Sequence, residues 1–273
     1  MDAFPKLLII GHTNIDENIV TNHPPVVLPG GAGYFVAVAA SRIIKPIGFV
    51  TRIGNDFDAT FLKSRVLPEG IHTIADKNTS RSIQTYHSET DRANRNMQLL
   101  PGVSYDLCPK DIPKKWLTHT KHIHIATMPP AQQKSFIVFL KKYAPHITLS
   151  MDTYESLLTN QSNITMIEKL TSMVDIVFVN RFEYTILQSV LSSHPCVIHK
   201  TDKNGAEYLS RGTCIATAKA PIVNAIDSTG AGDIFAGTFL ACRLSGQSIE
   251  KSLEEAVHVA STSILQEGIA HLF

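Results

Sequence analysis

The sequence is poor in several things, and each shortage removes a class of protein. Cysteine is scarce: four residues in 273, at Cys108, Cys196, Cys214 and Cys242. None belongs to a C-x-x-C pair, and they are spread over more than half of the chain. That excludes a disulfide framework and a cysteine-based zinc site, and leaves buried reduced thiols. Net charge is nearly absent, with 25 Lys+Arg against 24 Asp+Glu. A nucleic-acid or acidic-membrane binder needs a basic field, so neither partner is expected. At 18% charged residues the composition does not suit a disordered or coiled-coil chain. No apolar run approaches the roughly 18 residues that span a bilayer. The opening MDAFPKLLIIGHTNID has no basic n-region, and its apolar run at 7–10 is strand-sized. No signal peptide and a cytoplasmic location are the expectations.

What is present is core material, 44% apolar residues in a chain near the size at which one hydrophobic core stops growing. A single domain over 1–273 is therefore expected. Strand-like runs at 7–10, 47–51, 122–126, 147–152, 176–179 and 196–200 alternate with helical patterns at 34–44, 58–66, 132–143, 164–173 and 182–191. A hairpin at 206–209 and 214–217 follows, then helical runs at 231–244 and 249–266. This rhythm predicts an α/β fold: a doubly wound, mostly parallel sheet with helices on both faces. Two stretches, 13–28 and 79–100, break the rhythm and read as strands outside the main sheet, forming a small β-lid.

In such a sheet ligands bind outside the carboxyl ends of the strands. His12, Asn14 and Asp16 follow the first strand, while Asp152, Asn180 and Lys200 each end a later one. They point to one crevice. The segment Asp227-Ser228-Thr229-Gly230-Ala231-Gly232-Asp233 is a glycine-rich turn opening directly into an apolar helix. Small residues let a ligand approach the backbone, and the free N–H groups of a first helical turn face an anion. Asp233 in that turn has two readings. It is a helix cap worth about 1 kcal/mol, or beside a bound phosphate it accepts a proton from an attacking hydroxyl.

That segment resembles the D-T-x-G-A-G-D signature of the ribokinase-like (PfkB) carbohydrate kinases, with Ser228 as a variant. Gly11-His12-Thr13-Asn14-Ile15-Asp16 is similar to the family's G-x-x-N-x-D segment, and Gly30-Gly31-Ala32-Gly33 to its di-glycine substrate motif. Ile53-Gly54-Asn55-Asp56 resembles its G-x-D turn, and Asn180-Arg181-Phe182-Glu183 its N-x-x-E motif. The order and spacing of these elements carry the resemblance along nearly the whole chain.

The resemblance implies an ATP-dependent kinase acting on a hydroxyl of a small sugar, polyol or nucleoside. Asp233 is then the general base, and the amides around Gly230, Ala231 and Gly232 form an anion hole for the migrating phosphoryl group. Such donors are typically worth about 3 kcal/mol each in a transition state. Asn180 and Glu183 organise Mg²⁺ through water together with the nucleotide phosphates. Asn14, Asp16, Gly30, Gly31, Phe35 and Asp152 fall on the substrate side. Lys200, Gly205, Thr229 and His258 fall on the nucleotide side, with 258–268 over adenine. A monovalent cation such as K⁺ is a further candidate. The lid is implied to close over substrate, and it is the expected surface for a homodimer.

Other nucleotide folds lack their fingerprints here: there is no G-x-x-x-x-G-K-[ST], and no G-x-G-x-x-G follows the first strand. Two departures from the family bear on substrate. Ala32 and Phe35 stand where ribose-specific members carry a lysine and an asparagine, which argues against ribose. Phe35 also reads as a residue packing its helix into the core. Asp202 stands where a glycine is common in the nucleotide-binding turn. Two alternatives keep the fold: a hydroxymethyl-heterocycle (vitamin-type) kinase, or a catalytically silent small-molecule-binding or regulatory member. Outside the motifs, His122 and His124 alternate on one strand and read as a hydrogen-bonded pair before a metal site. Arg81, Arg92 and Arg95 read as a solvated lid face before a phosphate clamp.

Overall fold

The computed structural model describes residues 3–86 and 95–273. Nine strands form the main sheet: β1 (Leu7–Ile10), β4 (Ile47–Gly54), β5 (Ile71–Ile74), β8 (His122–Ile125), β9 (Thr148–Asp152), β10 (Ile176–Asn180), β11 (Val197–Lys200), β12 (Ala206–Ser210) and β13 (Thr213–Ala218). Four more make a separate sheet: β2 (Asn14–Val20), β3 (Val26–Gly30), β6 (Ser80–Tyr86) and β7 (Arg95–Leu100). The helices are α1 (Ala32–Ala40), α2 (Thr60–Arg65), α3 (Pro130–Tyr143), α4 (Gln161–Thr171), α5 (Arg181–Leu191), α6 (Ala231–Leu244) and α7 (Ile249–Ser263).

The main sheet runs β13-β12-β11-β10-β9-β8-β1-β4-β5. It is parallel from β11 to β5, with β12 and β13 added as an antiparallel hairpin. The hairpin turns on Arg211 and Gly212, at φ 48° and 75°, the left-handed pair that a two-residue turn requires. A parallel sheet is covered on both faces, so its strands read as unbroken apolar runs. In β1, Leu7 and Ile9 join the core beneath α1, α6 and α7, while Leu8 and Ile10 join the core beneath α3, α4 and α5. The strand order reverses between β1 and β8, which are hydrogen-bonded neighbours. A ligand crevice opens at such a switch point, outside the strands' carboxyl ends.

The doubly wound architecture and the lid agree with expectation; several boundaries differ. The first helix spans Ala32–Ala40 instead of 34–44, and the last ends at Ser263 instead of 266. The edge strand β5 was not anticipated, because IHTI carries two polar residues and pairs on one side only, with β4. The lid sheet runs β3-β2-β6-β7, with β2 and β6 parallel and the outer pairs antiparallel. The lid is joined tightly to the body. Thr79, just before β6, donates its amide to Asp56 Oδ1 at 2.8 Å and receives the Gly54 amide on its hydroxyl at 2.8 Å. This gives the G-x-D turn a structural task. All four cysteines are free thiols. Among the described residues no helix is long and apolar enough to cross a membrane.

Helix α6 is apolar almost all round, as a helix inserted between sheet and neighbouring helices must be. Phe239 anchors it, 1% exposed, with its ring 5.9 Å from that of Phe178 on β10 and 6.3 Å from that of Phe235. Phe239→Ala is expected to cost about 3–5 kcal/mol of unfolding free energy through the cavity it leaves. Urea denaturation monitored by circular dichroism checks this.

Candidate active site

A cleft of about 1020 Å³ lies between the carboxyl end of the main sheet, the lid and the first turn of α6. Its wall collects residues from segments far apart in sequence, including Asn14, Asp16, Phe35, Asp152, Asn180, Lys200, Gly205, Thr229 and Asp233.

At the substrate-side end, Asp16 is 6% exposed on β2, across from β3. Any side chain at Gly30 would overlap the Asp16 carboxylate. The glycine is thus the space that the carboxylate occupies. Phe35 belongs to the core around α1, and it also lines the cleft, with its ring packed against Gly230.

At the centre, Gly230 caps α6 in the left-handed region at φ 74°. The residues that follow present the unpaired amides of a helix start. Ala231 is less available than expected, because its amide donates to Ser228 O at 3.3 Å. The turn is braced from both sides. The Thr229 amide donates to Asp227 Oδ1 at 2.9 Å, and the Thr229 hydroxyl donates to Gln84 Oε1 of the lid at 3.1 Å. Gln84 Oε1 also accepts from Tyr86 Oη at 3.1 Å. Gln84 was not anticipated: nothing in the sequence of β6 links it to a turn 145 residues away.

Beside this turn lies a dense charge cluster. Lys200 Nζ donates to Asp152 at 2.9 Å (Oδ1) and 3.1 Å (Oδ2). A side-chain carbon at Gly232 would stand 3.2 Å from the same Nζ, so the ammonium adjoins the start of α6. Burial raises the Asp152 pKa to about 7, and the charges of Asp233 and Glu183 reinforce this against the pull of Lys200. Burial likewise raises the Asp233 pKa to about 6, with Lys200 opposing and Glu183 adding to the shift. For Lys200 burial favours the neutral amine, yet Asp152, Glu183 and Asp233 outweigh it and hold the ammonium charged. Asp152, expected on the substrate side, therefore lines the cleft as the partner of Lys200.

Asn180 and Glu183 form a capping box at the start of α5. Glu183 N donates to Asn180 Oδ1 and Asn180 N donates to Glu183 Oε2, each at 2.8 Å. The Thr153 hydroxyl also donates to Glu183 Oε2, at 2.7 Å. The N-x-x-E motif is thus a helix cap first, and among the described residues Glu183 Oε1 accepts no hydrogen bond.

On the nucleotide side, Asp202 adopts φ 54°, the left-handed conformation that explains why glycine suits this position. Gly205 follows at φ 106° and lines the cleft. His258 is a correction. It faces away from the cleft and is exposed, because on α7 the inward-facing positions are Val257, Ala260, Ser261 and Ile264. His122 and His124 share one hydroxyl, Ser150 Oγ, at 2.7 and 2.9 Å. Among the described residues no group of three or more His, Cys, Asp or Glu could hold a metal ion. Arg81 lines the cleft and lies 3.7 Å from both Glu17 and Asp56; Arg92 and the side chain of Arg95 lie outside the described residues.

The sequence matches the pfkB family carbohydrate kinases over residues 5–272, and the chain belongs to that family of phosphotransferases with an alcohol acceptor. It is 29% identical over 271 residues to the cytidine kinase of Thermococcus kodakarensis, covering 93% of this chain and 92% of that one. It is 24% identical to the nucleoside kinase of Methanothermobacter thermautotrophicus, covering 96% and 90%. Among solved structures, the fructokinase of Xylella fastidiosa with bound ATP superposes with a TM-score of 0.80 at 18% identity, covering 97% of this chain and 94% of that one.

The raised Asp233 pKa has a consequence for stability. A carboxyl whose folded pKa lies above its unfolded value favours the folded state at low pH, and that contribution is lost as pH rises through the folded value. Ionised Asp233 therefore destabilises the fold above about pH 6. Asp233→Asn is expected to raise the melting temperature at pH 8, with the gain vanishing below the ordinary carboxyl value of 3.8. Differential scanning fluorimetry across pH checks both limbs.

Proposed function

We propose that this kinase transfers the γ-phosphoryl group of ATP to a hydroxyl of a nucleoside. One observation carries the nucleoside reading: the cleft joins a carboxylate for sugar hydroxyls to an uncovered apolar wall. Met97, Leu99, Leu100 and Tyr105 are 38–43% exposed and all line the cleft that holds Asp16. Large apolar side chains left open in a cleft mark a binding surface. A simple sugar has little with which to cover them, whereas a nucleobase does. The cytidine and nucleoside kinases among the relatives support the same choice.

Asp233 accepts the proton of the substrate hydroxyl as its oxygen attacks the γ-phosphorus, and the bond to the ADP oxygen breaks. Positive dipoles at the start of α6 and the Lys200 ammonium face the charge that spreads over the phosphoryl oxygens. Mg²⁺ arriving with the nucleotide fits Glu183 Oε1 through water, since a hard cation retains several waters, and when bound it neutralises phosphate charge. The Gln84–Thr229 contact ties the lid to the anion-binding turn, so that a closure excluding water from the reacting atoms would also shape that turn.

Asp233→Asn is expected to lower kcat by about 10²–10⁴-fold, the usual worth of a general base, while sparing ATP binding. Coupled-assay kinetics and calorimetric titration with ATP check this, and a fully active variant removes the base assignment. The wild-type rate should fall as pH drops below about 6, where Asp233 becomes protonated. Asp16→Ala should raise KM for the alcohol substrate; an unchanged KM counts against its role. An ATP-consumption screen over nucleosides, sugars and inositols tests the substrate class.

A further inference from the structure

His12 follows β1 at the place where the strand order reverses, and it lines the cleft together with Tyr105, their ring centroids 5.0 Å apart. Its Nε2 is 2.7 Å from Gln132 Oε1. Which atom carries the hydrogen follows from the other end of Gln132. The Gln132 Nε2 donates to three backbone carbonyls, Leu107 at 2.8 Å, Ser104 at 3.1 Å and Tyr105 at 3.4 Å. Carbonyls only accept, so turning the amide over would set oxygen against three oxygens. Gln132 Oε1 is therefore the acceptor, and His12 Nε2 carries the hydrogen. Burial also lowers the His12 pKa to about 4, so the ring is neutral near pH 7.

A neutral imidazole with hydrogen on Nε2 has a lone pair on Nδ1. His194 has a comparable arrangement in a structural setting: its Nε2 is 3.1 Å from Val174 O, and its Nδ1 receives the Cys196 amide at 3.2 Å. His12 Nδ1 receives no such bond among the described residues, and although the residue is only 6% exposed this atom is not among those sealed from solvent. The acceptor is fixed in orientation by Gln132 and left for whatever enters the cleft.

We infer that His12 is a specificity-determining residue, a locked acceptor that selects a nucleobase bearing an exocyclic amine over one bearing a carbonyl at the same edge. This rests on the nucleoside reading. An amino group donates to Nδ1; an oxo group sets two lone pairs against each other in a largely desolvated place. Asp16 answers for the hydroxyls and Met97, Leu99 and Tyr105 for the faces of the base, and neither distinguishes amine from carbonyl.

The test measures kcat/KM for cytidine against uridine and adenosine against inosine, with ribose and fructose as simple sugars. It is joined by long-range ¹H–¹⁵N correlation spectra of the wild-type histidines. The expected result is an amine preference of about 100-fold, the scale set by leaving a buried polar group unpaired. His12→Ala and His12→Asn should reduce it to within a fewfold of unity. The spectra should show His12 hydrogen on Nε2, and an Nδ1 resonance that shifts on adding cytidine. Nucleoside turnover with no amine preference, a preference that survives both variants, or hydrogen on Nδ1 overturns the inference alone. Turnover of a simple sugar with none of the four nucleosides overturns the nucleoside reading together with it. The wild-type ratio and spectra decide the matter even if a variant does not fold.

Discussion

One buried ammonium holds the α6 end of this cleft together. Lys200 Nζ is bonded to Asp152 and adjoins Gly232, while the charges of Glu183 and Asp233 act on it and on each other. Burial pushes Asp152 and Asp233 toward their protonated forms, and the ammonium between them opposes that. With it the three carboxylates keep unequal tasks. Asp152 fixes the lysine, Glu183 caps α5 and receives Thr153, and Asp233 stands at the first turn of α6 with a pKa moved toward neutrality.

Much of the fold was readable in the sequence because both faces of the sheet are covered. LLII, HIHI and IVFV are continuous runs for that reason, and glycine-rich turns punctuate them where α1 and α6 begin. What escaped was either short and one-sided, as with β5, or set by helix phase, as with His258 on α7. The pairing that matters most escaped too. Lys200 and Asp152 were each recognised at a strand end, but strands β10 and β11 had to lie beside β9 before the two could be seen as partners. Gln84 and Gln132 carried no signal at all. A glutamine reads as a surface residue until its partners are known, and those partners lie 145 and 120 residues away.

The substrate and catalytic motifs are also closer than their sequence distance suggests. Phe35 of α1 packs on Gly230, so the helix that follows the di-glycine motif touches the turn that leads to Asp233. A change of side chain at position 35 would therefore act on the wall of the cleft and on the Gly230 turn together.

The lid's attachment has a mechanical consequence. Strand β3 ends at Gly30 and α1 begins two residues later at Ala32, while β6 begins directly after Thr79, clamped by Gly54 and Asp56. There is no slack linker at either joint. Any swing of the lid must bend these two joints together with the crossings at 11–13 and 101–102, and the first of the two adjoins the Asp16 carboxylate. A molecule held against Asp16 would therefore press on one of the lid's own joints.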